Sequence, residues 1–292
     1  MICLKATRVG TRGIVFSFDD PYLVNIYVID GDEHIFICDT GLGSDFINQI
    51  LAYLEDQKID SKPIVVFNSH TDYDHIWGNH MFKDSMILAQ ELSLSILEKE
   101  AKEALEKYSA HKRGEVILTF PNRLFKDKFF FDHEDIEFYH TPGHTLESSS
   151  CYDSRDKVLF VADNIESPYP YVNFLNLEDY IATLSEYLTR DVEIVVSGHD
   201  EVMFNTELIE SNLEYLHQLI DGIVDRSQFS KKQRGIHFLN ITRIGEMMKN
   251  EGKTKESEKF FVEALEILQE VEQTEEIKAK IKEIKQIIKG LN

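Results

Sequence analysis

The chain has 292 residues, 42% of them apolar, with 31 basic against 52 acidic side chains and a formal charge of −21. That length allows a sizeable core and more than one domain. So negative a field repels phosphate backbones and argues against nucleic-acid binding, and no apolar run approaches the roughly 18–20 residues of a membrane span.

The segment Met1-Ile2-Cys3-Leu4-Lys5 lacks the apolar stretch of a secretory signal, so the expectation is a soluble cytoplasmic protein. Cys3, Cys38 and Cys151 are widely spaced and form no CxxC pair. They predict separate thiols in a reducing compartment.

The first forty residues read as strands. Residues 22–29 are rich in β-branched and aromatic side chains, a turn follows at 30–32, and 34–38 returns as a second strand. Asp39-Thr40-Gly41 ends it. A helix follows with Ser44 as its expected N-cap and Phe46, Ile47, Ile50, Leu51 and Leu54 along one face. Pro63 opens the next strand. Residues 90–110 predict a helix with Leu92, Leu94, Ile96, Leu97, Ala101 and Leu105 on its apolar side. Strands are expected at 136–139, 151–152, 158–161 and 192–197, and a helix at 179–188. After Glu201 charged helical segments take over. Leu208, Leu213, Leu216, Leu219 and Ile220 mark one helix, 227–232 reads as a polar linker, and three helices follow at about 236–250, 254–271 and 274–289. Gly252 serves as a helix-ending turn. The domain boundary falls near 230, giving units at 1–230 and 231–292.

Four clusters of metal-seeking side chains punctuate this order. They are His70-Thr71-Asp72-Tyr73-Asp74-His75, then His144 in Thr141-Pro142-Gly143-His144-Thr145, then Asp163, then His199. Each follows an expected strand, where loops held by a sheet can aim ligands at one point. Four histidines and three aspartates delivered in this way suit two adjacent divalent metals.

This pattern resembles the metallo-β-lactamase fold superfamily, over about residues 10–200. The superfamily motif is His-x-His-x-Asp-His followed by a His, an Asp and a His; here it reads His70-x-Asp72-x-Asp74-His75, then His144, Asp163 and His199. Asp39-Thr40-Gly41 and Ser197-Gly198-His199 are similar to further family motifs. The resemblance implies an α+β fold, a four-layer αββα sandwich with metals at one edge of its two sheets, followed here by an all-α extension. It implies that one metal takes His70, Asp72 and His144, that the other takes Asp74, His75 and His199, and that Asp163 bridges them. A metal-bridging hydroxide would be the nucleophile, Asp74 would help hold it, and Asp39 would order the ligand loop. The ions expected are two divalent cations, Zn first, with Mn or Fe as alternatives. Asp72 stands where the commonest members have His. It makes that side harder and more negative, which favours Mn or Fe while still fitting Zn, or else it leaves one metal only.

Other residues are read more plainly. His80 is expected to be structural or solvated, and His140 a partly buried structural residue or a support for the ligand loop. Tyr169 and Tyr171, after Glu166-Ser167-Pro168, either line a pocket or pack against an insert at 90–125 that shapes substrate choice. In the tail Ile241, Ile244, Gly245, Met248, Gly252, Ser257, Phe261 and Ala264 resemble one tetratricopeptide repeat, with a plain helical hairpin as the alternative. Ile277, Ile281, Ile284 and Ile288 stripe the last helix. A lone repeat cannot bury its own face, so the tail suggests self-association or a protein partner.

The leading expectation is a binuclear hydrolase of a small-molecule ester, thioester, lactone or phosphoester. A diiron oxygen-binding or redox protein of the same fold is the second reading, because that branch carries a carboxylate at the Asp72 position. A non-catalytic scaffold acting through the tail is the third.

Overall fold

A strand that is apolar on both faces needs cover on both sides. The computed structural model, which describes residues 4–59 and 61–291, supplies that cover in four layers. The first sheet has seven strands in chain order: β1 (Leu4–Val9), β2 (Gly13–Phe18), β3 (Val24–Asp30), β4 (Ile35–Cys38), β5 (Ile64–Phe67), β6 (Met86–Gln90) and β7 (Arg123–Phe125). β1 to β4 pair antiparallel and β4 to β7 parallel. The parallel connections run through α1 (Ser44–Asp56), the short α2 (Tyr73–Ile76) and α3 (Leu92–Lys107). The second sheet is ordered β12-β11-β10-β9-β8, from β8 (Lys128–Phe131), β9 (Ile136–His140), β10 (Ser149–Asp153), β11 (Val158–Ala162) and β12 (Ile194–Ser197). Its outer face is covered by α4 (Leu177–Tyr187) and α5 (Glu207–Asp221). The helices α6 (Lys231–Asn250), α7 (Thr254–Gln269) and α8 (Glu275–Leu291) complete the chain.

Strand alternation divides the core into three apolar clusters. Tyr27, Phe36, Phe67, Phe138, Phe160 and Val196 fill the space between the sheets. Ile26, Val28 and Ile37 point the other way, onto Phe46, Ile47 and Ile50 of α1. Leu159, Val161 and Val195 pack under α4, and the same cluster continues through Leu216 of α5, Ile241 and Ile244 of α6, Phe261 of α7 and Ile284 of α8. The helical extension is therefore joined to the second sheet through apolar contacts. Complete burial of Phe67 or Phe160 contributes about 1.5–3 kcal/mol each.

Within the extension, the small residues do what their size allows. A Cβ on Gly245 would sit 3.1 Å from the Phe261 ring, and Ser257 Oγ donates to Gly245 O at 2.7 Å. α6 and α7 thus cross closely.

Two expectations are corrected. Ser44 is not an N-cap: it is the first residue of α1, after Gly43, and its Oγ accepts from Glu115 N at 2.8 Å instead. The polar stretch 227–232 is only partly a linker. Ser230 and Gln233 form a reciprocal capping box, so α6 starts at Lys231, five residues before the first apolar signal. Helix α3 covers the first part of the 90–125 insert; 112–122 has no regular secondary structure and leads into β7. Cys38 and Cys151 are buried free thiols; Cys3 lies outside the described residues. Among the described residues, no helix is long and apolar enough to cross a membrane.

Candidate metal centre

The C-terminal ends of β4, β5, β11 and β12 and the β9–β10 connection open onto one edge of the sandwich. At the far edge Arg12 grips Asp153 with two hydrogen bonds, at 2.6 and 2.9 Å. At the near edge the side chains are histidines and aspartates. β5 leads into Asn68 to His75, and Asp72 occupies the N-cap position of α2 without capping it. Its carboxylate turns instead toward His144 Nε2, at 3.3 Å, and His70 Nε2, at 3.7 Å.

The seven residues singled out in the sequence lie in one cluster; six of them form two groups of mutually close ligand atoms, and Asp72 joins through His144 and His70 alone. His70, His144 and Asp163 present ligand atoms mutually within 4.8 Å, and so do Asp74, His75 and His199. Asp163 faces both groups. Its Oδ1 is 3.2 Å from His75 Nε2, and its Oδ2 is 3.2 Å from His199 Nε2, 3.8 Å from His70 Nε2 and 4.0 Å from His144 Nε2. Asp74 lies 3.6 Å from His199 and 3.9 Å from His75. Donors about 2.0–2.2 Å from one tetrahedral ion stand roughly 3.3–3.6 Å from one another, close to this spacing. His70 Nε2, His75 Nε2 and Asp163 Oδ1 are buried without a hydrogen-bond partner. Such atoms cost about 1–3 kcal/mol each unless something satisfies them. A pair of cations fits this donor set.

The electrostatics agree. Burial disfavours the charged imidazoles, yet the surrounding carboxylates outweigh it. Asp163 and Asp39 hold His75 well above the ordinary histidine range. Asp72 and Asp163 push His144 up to about 9, and Asp163 pushes His199 up to about 10. Asp163 is itself held well below the usual carboxylate range: burial would raise it, but His199 and His75 win. The cluster attracts positive charge, and protons occupy the places that metal binding would take over.

The supports explain the aim. Asp39, with φ 66° and fully buried, accepts from Ser69 N at 2.8 Å and Ser69 Oγ at 2.7 Å, and contacts His75 Nδ1 at 2.7 Å. It fixes the loop and turns His75 Nε2 toward the centre. Register slips in β11 between Phe160 and Ala162, and Ala162 takes φ 46°, so the chain swings Asp163 out of the strand. Gly198 must be glycine, because a Cβ there would lie 2.1 Å from Asp163 Oδ1. His140 Nε2 meets Leu146 O at 2.7 Å across the loop that carries His144. His80, half-buried, meets Trp77 O at 3.2 Å and belongs to neither group.

Several supports escaped sequence reasoning. Tyr22 Oη donates to Asp74 Oδ2 at 2.8 Å and contacts Tyr73 Oη at 2.7 Å. Asn25 Nδ2 holds Ser197 O and Asp200 O on either side of His199, at 2.9 and 2.7 Å. A lone Asn inside the β3 apolar run was the available signal. Asn164 Oδ1 accepts from His144 N at 2.9 Å while its Nδ2 holds Thr141 O at 2.8 Å. Glu147 accepts from Thr71 Oγ1 at 2.6 Å.

The cluster floors a pocket of about 510 Å³, lined also by Tyr22, Glu166, Tyr171, Asn173, Lys232 and Arg243. That volume suits a small molecule. Burial, and then Asp163, push Glu166 up to about 8. Of the two tyrosines left open by the sequence, Tyr171 lines the pocket, and Tyr169 stacks on Tyr215 of α5 at 4.0 Å.

The fold and this edge are those of one family. The profile of the Metallo-beta-lactamase superfamily matches residues 19–199, and the chain belongs to that superfamily. An N-acyl homoserine lactonase of Bacillus sp. is 25% identical over 209 residues, covering 60% of this chain and 80% of the lactonase. Among solved structures, a metallo-beta-lactamase from Pontibacter korlensis superposes with a TM-score of 0.59 at 17% identity, over 74% of this chain and 99% of that one. The DIM-1 metallo-beta-lactamase does so with a TM-score of 0.60 at 15% identity, over 75% and 100%. These two likenesses speak for the fold alone. Relatives in the superfamily are mostly hydrolases, and the family typically binds divalent metals, often Zn.

Proposed function

We propose that the protein is a binuclear metal-dependent hydrolase of a small molecule, cleaving an ester, thioester, lactone or phosphoester bond. The observation that carries this reading is the cluster's own geometry: eight ligand-to-ligand distances of 3.2 to 4.0 Å around buried atoms that lack partners. The lactonase relative puts lactones first among the four bond types.

In this reading His70, Asp72 and His144 would hold one ion and Asp74, His75 and His199 the other, with Asp163 facing both groups. Bound divalent cations supply Lewis acidity and lower the pKa of water. The remaining work belongs to the chain. Asp39 sets the His75 tautomer, and Tyr22 donates to Asp74 Oδ2, fixing the carboxylate that would face the ion and orient the attacking water. With two divalent cations bound, the cluster's three aspartates would leave a small positive surplus, suited to an electron-rich carbonyl or phosphoryl group. Residues 1–230 act as the catalytic unit. Residues 231–292, a tetratricopeptide-like extension, complete the pocket wall through α6.

Elemental analysis of protein purified without chelators, followed by turnover on one substrate of each bond type, tests this. Two Zn, Mn or Fe per chain with turnover of at least one is expected. No metal after reconstitution, or no turnover of any of the four, overturns it.

A further inference from the structure

One side of the pocket is built by α6. Three of its polar side chains hold the segment 169–173. Gln233 Nε2 donates to Tyr169 Oη at 3.0 Å. Buried Asn240 donates to Pro170 O at 2.8 Å and accepts from Val172 N at 3.0 Å. Arg243 Nη1 donates to Asn173 Oδ1 at 2.6 Å. Asn173 Nδ2 in turn meets His144 Nε2 at 3.1 Å. One amide group therefore separates the guanidinium from a candidate ligand imidazole.

Arg243 has more capacity than this brace uses. A guanidinium carries five N–H donors in a planar fork, and Asn173 takes one of them. The Tyr171 ring lies 5.7 Å away, at cation–π range. Among the described residues no carboxylate stands within ion-pair distance of Arg243, although the chain has 52 acidic side chains. The acids nearest in effect are Glu103, which with Tyr108 favours the Lys107 charge that Arg243 opposes, and Glu166, which acts against Arg243 at Tyr171; neither is paired with the guanidinium. Lys232 lies eleven residues earlier, about 20° around the helix, and lines the same pocket while exposed to solvent. A half-buried, unfilled fork facing a pocket matches one planar carboxylate. A phosphate dianion would call for a second fixed cation, and exposed Lys232 is not one.

We propose that Arg243 anchors a carboxylate carried by the substrate at the end remote from the bond that is cut. The tail thereby selects acidic substrates for a centre that the sandwich builds. This rests on the hydrolase reading for the word substrate; the anchor itself is read by binding.

The test is calorimetric titration of the metal-loaded protein with glutarate, which has two carboxylates, and with butyrate, which has one. Wild type should prefer glutarate by about tenfold, the worth of one charge-assisted hydrogen-bonded contact. Arg243→Gln should bring the preference close to one, and Arg243→Lys should keep part of it. A wild type without preference, or an Arg243→Gln variant that keeps the whole of it, overturns the proposal. In a second arm, p-nitrophenyl hemiglutarate and p-nitrophenyl butyrate are compared as esters. The ratio of their kcat/KM values should fall in Arg243→Gln, mainly through KM for the charged ester. A role confined to bracing the loop would instead slow both esters alike, and that result counts against the anchor. If neither ester turns over while glutarate binding still depends on Arg243, the anchor stands, and the hydrolase reading fails once thioester, lactone and phosphoester resist as well.

Discussion

The two halves of the candidate centre are built differently. The Asp74, His75 and His199 half is held by the sandwich. His75 is fully buried on Asp39, Asp74 is tied by Tyr22, and Asn25 grips the His199 turn. The His70, Asp72 and His144 half leans on loops and on the tail. The Asp72 side chain is 44% exposed, and His144 Nδ1 rests on Tyr171 O at 3.1 Å in a segment that α6 holds in place. A site whose supports are rigid keeps its geometry when empty, and one assembled from loops must be ordered at some cost. The two halves should therefore bind metal with unequal strength.

The largest effect should come from removing what the halves share. Asp163→Ala should reduce metal content from two ions to fewer than one per chain, measured by elemental analysis, and hydrolysis to background. Next, Asp39→Ala should weaken the buried half by about 10–100-fold in metal affinity, as loss of a histidine-orienting carboxylate does. Competition against a chromogenic chelator would read it. The same titration on wild type should show two phases, with the Asp72 side emptied first; one phase would break the comparison. Asp72→His restores the commoner motif and should tighten Zn on the exposed side while reducing its tolerance for Mn, narrowing the gap between the phases.

A smaller effect is expected in the tail. Asn240→Ala leaves Val172 N and Pro170 O without partners, costing about 1–3 kcal/mol of stability, visible as a lower denaturant midpoint. It should loosen the Asp72-side ion while sparing the other. The mildest test is pH on chelator-treated protein. His144 and His199, ordinarily near 6.5, titrate at about 9 and about 10 in the folded chain. Raised histidine values stabilise the fold fully below the unfolded value, and that stabilisation is lost as pH rises through 9 to 10. Thermal midpoints of the stripped protein should thus fall between pH 6.5 and 10. The metal-loaded protein should resist this fall, since deprotonation favours its ligands.

Most of the sandwich was legible because its strands are short apolar runs followed by polar loops. The β12 run Ile194-Val195-Val196-Ser197 and the β5 run Ile64-Val65-Val66-Phe67 are such cases. The weaker β7 and β8 were not, because exposed residues break their pattern. α6 begins five residues before its first apolar signal, because the Ser230-x-x-Gln233 cap and not the apolar periodicity sets its start. The seven clustered residues were visible as residue types at strand ends, since metal chemistry restricts which side chains can serve.

The sequence by itself determined the layers, the family and the inventory of candidate ligands, because periodicity and side-chain chemistry are local properties. It did not determine that Asn25, Tyr22, Asn164 and Asn240 hold that inventory in place, nor that the tail brings Arg243 to the pocket. Those pairings join residues up to 175 positions apart. Only the packed structure brings them together, because hydrogen bonds between distant segments exist only once the apolar layers between them have been buried.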